Sequence, residues 1–107
     1  MTPFRTLAVA WLVAAAANLA VADATAGKTK ARACAVCHGV LGVASAPDTP
    51  SLAGQPERYL SEQLKAYRSG QRSHEVMSLM AKPLTDDDIR DLSAWFASLV
   101  IEVKTRE

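Results

Sequence analysis

The segment Cys34-Ala35-Val36-Cys37-His38 constrains this chain more than any other, because it holds both of its cysteines. C-x-x-C-H is the form through which haem is attached covalently. Two thiols at this spacing can each add to one vinyl group of the same porphyrin. The next residue, His38, then lies under the ring, where its imidazole can coordinate the iron. A buried pair of unreactive thiols would tend to oxidise in an exported chain, and two other uses of the pair stay open. A redox disulfide of the thioredoxin kind sits beside a strand in a βαβ pattern, and nothing around Cys34 reads as a strand. A zinc centre takes about four nitrogen or sulfur ligands, and Cys34, Cys37, His38 and His74 are available.

Residues 1–22 read as an export leader. Arg5 is the positive start, and Leu7 to Ala22 is uncharged and almost wholly apolar. Ala20-Val21-Ala22 and Ala22-Asp23-Ala24 both fit a small-residue cleavage site, and cleavage after Ala22 is the expectation. The apolar run is shorter than the ~20 residues of a membrane-spanning helix; a retained leader acting as an anchor is the alternative. Export agrees with covalent haem, which bacteria attach outside the cytoplasmic membrane, so a periplasmic location is expected.

Residues 23–107 then form one small domain. A domain of this size buries a modest core and usually needs a staple, which a covalent haem would provide. Of 12 basic residues, removal of Arg5 leaves 11 against 11 acidic ones. This balance argues against a nucleic-acid partner, and no polybasic cluster argues for a membrane surface.

Three helices are predicted in an all-α domain. The first spans about 24–37, rich in good helix formers; Gly27 within it calls for close approach by another helix. Residues 39–56 are a loop rich in glycine and proline. The second helix runs from Pro56, suited to the first helical position, to Ser69, with Gly70 as its stop. Leu60, Leu64 and Tyr67 form its apolar face, and Arg58 and Glu62 pair on another. Residues 71–84 read as a second loop. The last helix is predicted over about 85–100. Thr85 caps it, Thr85 with Asp88 resembles a capping box, and Asp86, Asp87 and Asp88 complement the helix dipole. Ile89, Leu92, Phe96 and Leu99 form its buried stripe.

If His38 gives one axial bond to iron, the second bond decides the function. A strong protein ligand leaves electron transfer, whereas an open position admits small molecules. His74, Met77 and Met80 all lie on the second loop and are the candidates.

Taken together, these segments resemble the class I c-type cytochromes. The likeness is to small bacterial monohaem forms and to one half of the periplasmic dihaem cytochromes. It is carried by Gly27, Cys34 to Gly39, Pro50-Ser-Leu-Ala-Gly-Gln55, Tyr59-Leu60 with Gln63-Leu64, Met77 to Met80, and Leu84 to Ile89 leading to Trp95-Phe96. The resemblance implies the cytochrome c fold, three to four helices wrapped around one haem c bonded to Cys34 and Cys37. It implies that the Pro50 carbonyl accepts the Nδ1 proton of His38. It selects Met77, the first methionine of its pair, as the second iron ligand beside His38, and makes Met80 a contact of the haem pocket. It also implies a crossing of the first and last helices at Gly27 and Trp95.

The function implied is a soluble periplasmic one-electron carrier, not an enzyme, working between a donor and an acceptor redox protein. Rivals are a cytochrome subunit of a larger oxidoreductase, and an open-haem enzyme or sensor. Arg58, Tyr59 and Arg72 are candidates to reach the haem propionates. Arg58, Lys65, Arg68 and Arg72 either steer an acidic partner or form a solvated face.

Overall fold

Asp23 opens the first helix, α1 (Ala24–Lys30), its carboxylate accepting the N–H groups of Thr25 and Ala26 at 2.9 and 3.1 Å. An N-terminal aspartate satisfies donors that the helix itself cannot. The computed structural model describes residue 1 and residues 21–107, so the leader predicted over 1–22 lies almost wholly outside the described residues.

The helix predicted over 24–37 is divided. The chain tightens into a 3-10 turn at Ala31–Ala33 and re-forms as α2 (Ala35–His38). Cys34 closes the turn, donating its N–H to Ala31 O at 2.9 Å. A 3-10 turn winds more tightly than an α-helix and so re-aims the side chains after it. That change of direction falls just before the C-x-x-C-H segment.

The second predicted helix is α3 (Glu57–Ser69), with Pro56 as the residue preceding it rather than its first member. Gly70 ends it in the left-handed conformation at φ 85°. Arg58 Nε donates to Glu62 Oε1 at 2.7 Å, as the spacing predicts. The predicted loop 71–84 contains a further helix, α4 (Met77–Ala81). The last helix, α5 (Asp86–Ser98), starts with the expected capping box: Thr85 N–H to Asp88 Oδ2 and Asp88 N–H to Thr85 Oγ1, both 3.0 Å. It stops at Ser98, short of the predicted end, and Leu99 packs on the core from extended backbone. No strand occurs among the described residues.

Helices α1 and α5 cross at Gly27. A Cβ there would lie 1.9 Å from Asp91 O and 2.8 Å from Trp95 Cβ, so only glycine lets the backbones meet. Lys30 Nζ fastens the crossing, 2.7 Å from Asp91 Oδ2 and 3.0 Å from Asp88 Oδ1. Asp23 N–H adds a bond to Asp91 Oδ1 at 2.9 Å. The ammonium hydrogen bond and this backbone donor hold the Asp91 carboxyl below the usual carboxylate range. On the other side of α5, Arg68 of α3 donates to Leu84 O at 3.0 Å and to Asp86 Oδ1 at 2.6 Å. Ala31, Leu60, Leu92 and Phe96 form the buried cluster inside this frame.

Candidate haem site

Helix α2 presents Cys37 and His38, with Cys34 at its N-terminal cap. His38 is 7% exposed. Its ring would carry an unpaired polar nitrogen into the core, were Nδ1 not 2.7 Å from Pro50 O. A carbonyl can only accept, so the ring proton sits on Nδ1. Nε2 keeps its lone pair, the form of imidazole that binds a metal. Burial pushes the Cys34 thiol up, whereas Cys37 is exposed.

The position of Pro50 O depends on the loop between α2 and α3. Leu52 and Ala53 both donate to Gly42 O, at 2.7 and 3.0 Å, and Gly54 N–H reaches Phe96 O on α5 at 2.9 Å. Gly42 has φ 72°, and a Cβ on it would meet Ala53 N and Phe96 Cδ1 at 2.9 Å. The loop is thereby pinned to α5, and the proline carbonyl is held where the imidazole needs it.

A cavity of about 400 Å³ opens beside this turn, within the ~300–1,000 Å³ of cofactor sites. Leu52, Leu60, Leu64 and Phe96 give it apolar walls, and Cys37, His38, Pro50 and Met77 face it with the chemistry singled out from the sequence. Cys34 packs beside the core cluster rather than lining the cavity. Met80, expected as a pocket contact, is instead 41% exposed and lies outside the lining. Tyr59 and Arg72 line it, but Arg58 does not; the Arg72 side chain also donates to Gln63 Oε1 at 2.7 Å. Ser93, not singled out in the sequence, is buried against the cavity with its hydroxyl unpaired.

His74 lines the cavity too, but its Nδ1 accepts the N–H groups of Val76 and Met77 at 3.1 and 3.2 Å. The ring proton is then on Nε2, which has no lone pair for a metal. Among the described residues no group of three or more His, Cys, Asp or Glu side chains is placed to hold a metal ion. The zinc tetrad is therefore not assembled. The apolar walls, the Cys37 thiol, the imidazole and the thioether of the lining fit an iron porphyrin instead, with Cys34 on the same turn as Cys37.

Comparison with known proteins agrees. The pattern of the Cytochrome c family matches residues 24–99. Cytochrome c-554(548) from Halomonas halodenitrificans is 44% identical over 79 residues, covering 71% of this chain and 95% of that protein. A thiosulfate dehydrogenase electron acceptor from Thiomonas intermedia is 41% identical over 96 residues, covering 89% of this chain and 44% of that one. The crystal structure of reduced recombinant cytochrome c4 from Pseudomonas stutzeri superposes with a TM-score of 0.70 at 40% identity, over 75% of this chain and 47% of that chain. The chain spans about half the length of the cytochrome c4 proteins it matches. A covalent site for haem c, the cytochrome c fold and a match over residues 24–99 place this chain in the cytochrome c family.

Proposed function

We propose that this chain is a one-electron carrier of the bacterial periplasm, with haem c bonded to Cys34 and Cys37 and its iron held between His38 and Met77. When bound, the haem supplies the ferric–ferrous couple, and no bond to a substrate is made or broken. His38 Nε2 offers a lone pair fixed in direction by Pro50. Met77 offers a thioether, a soft donor that favours ferrous iron and raises the potential. The apolar walls keep water from the iron. Tyr59 and Arg72 are the polar groups available to the propionates. Electrons would come from one redox protein and leave to another.

The observation carrying this reading is that His38 and Met77, from different helices, line one cavity while Met80 does not. Likeness to cytochrome c-554(548) over 95% of its length favours a carrier that works as a single domain. The second reading is a cytochrome subunit of a larger oxidoreductase, favoured by likeness to a thiosulfate dehydrogenase electron acceptor. Exposure of the reduced, exported protein to CO tests the closed iron. The carrier predicts a reversible one-electron couple and no rapid CO binding; rapid binding would mean an open position and a sensor or enzyme.

Cleavage after Ala22 has structural support. It leaves Asp23 to cap α1 and to meet Asp91, whereas cleavage after Ala24 removes both interactions. Among the described residues no helix is long and apolar enough to cross a membrane. The intact mass of the exported protein locates the cut.

A further inference from the structure

We propose that His74 is the residue that positions Met77, an inference that rests on Met77 being an iron ligand. Helix α4 has five residues and begins at Met77. So short a helix has little stability of its own, and its first N–H groups need partners outside it. Val76, which precedes it, has no side-chain acceptor and makes no side-chain capping bond. The imidazole of His74 takes that role, its Nδ1 accepting from Val76 at 3.1 Å and from Met77 at 3.2 Å. The clamp is reciprocal. His74 N–H donates to Ser78 Oγ at 3.0 Å, and Ser78 N–H donates to His74 O at 3.0 Å. Met77 sits inside this ring of bonds, with its own N–H tied to the imidazole.

The chemistry makes such a clamp consequential. Methionine is a flexible side chain with three rotatable bonds, and a neutral thioether gains little from charge. Its hold on iron depends on how well the backbone beneath it is fixed before the bond forms. Groups that orient a metal ligand typically change metal affinity about 10–100-fold when removed. His74 is thus a residue of the site although its own nitrogens are not offered to the iron.

The experiment compares exported holoproteins: wild type, His74→Ala, His74→Asn and Met77→Ala. Asparagine retains a capping acceptor. Two readouts are taken, the near-infrared charge-transfer band from sulfur to ferric iron and CO binding to the reduced form. Far-UV circular dichroism and covalent haem content are recorded for each variant. The expected result is a weakened band and about 10–100-fold faster CO binding in His74→Ala, with both restored in His74→Asn. Misfolding of His74→Ala alone, beside a native His74→Asn, supports the same role. An unchanged band in His74→Ala overturns the proposal, as does equal damage or misfolding in both His74 variants. Failure of the underlying ligand assignment looks different: the wild type lacks the band, or Met77→Ala keeps it.

Discussion

Replacing Gly27 with alanine sets helix propensity against packing. In an isolated helix the change stabilises by about 1 kcal/mol. At the crossing of α1 and α5 the new methyl carbon would stand 1.9 Å from Asp91 O and 2.6 Å from Asp91 C. Both atoms belong to the backbone, so no side chain can swing aside. To reach ordinary contact the helices must separate by on the order of 1.5 Å, since apolar carbon packs at roughly 3.5 Å. That movement also strains the Lys30–Asp91 pair, now 2.7 Å long. Overpacking of this kind costs up to about 3 kcal/mol. The net loss is then about 2 kcal/mol, or roughly 8–16 °C of Tm for a domain of this size. Thermal unfolding of the oxidised holoprotein, followed by far-UV circular dichroism, reads it. Gly70→Ala is the control. No atom lies within 4 Å of its Cβ, so it should show only the ~1–2 kcal/mol penalty of left-handed backbone. A Gly27→Ala protein as stable as wild type would refute the close crossing.

Two further predictions concern stability. Asp91 is held low by the Lys30 ammonium and then by Asp23 N–H, Asp88 by the Thr85 backbone and then by Lys30, and Asp86 by Arg68. A carboxylate whose folded pKa is depressed stabilises above its unfolded value, near ~4, and that contribution is lost as pH falls through the folded pKa. Tm should therefore fall below about pH 4, and Asp91→Asn should lower Tm at neutral pH while flattening the acid limb; parallel curves would contradict the coupling. Phe96, 3% exposed, belongs to both the core cluster and the cavity wall. Phe96→Ala should cost about 3–5 kcal/mol in a denaturant titration of the holoprotein, and a loss under about 1 kcal/mol would show that the wall does not bear on the core.

Long, periodic elements were legible from residues alone. The stripe Ile89, Leu92 and Phe96 is buried as its spacing predicts, and the Thr85–Asp88 box closes as written. Gly27 signals a close approach by itself, whereas its partner Trp95 and the Pro50 bond to His38 follow from family resemblance, because each contact joins residues on different elements. What escaped was short and held by local bonds that no common signal marks. α4 spans little more than one turn, too few residues to show a period, and its cap is an imidazole three residues before its first member rather than a serine or aspartate. The 3-10 turn at Ala31–Ala33 has no glycine or proline to mark it. Asp23 carries a readable signal, an aspartate just before a run of helix formers, although it also falls within a cleavage motif.

The sulfur-to-ferric-iron band reads the iron's protein ligands most directly. With His38 and Met77 as ligands, the band is present in the wild-type oxidised protein, survives Met80→Ala and disappears in Met77→Ala. A band lost in Met80→Ala but kept in Met77→Ala would contradict the assignment.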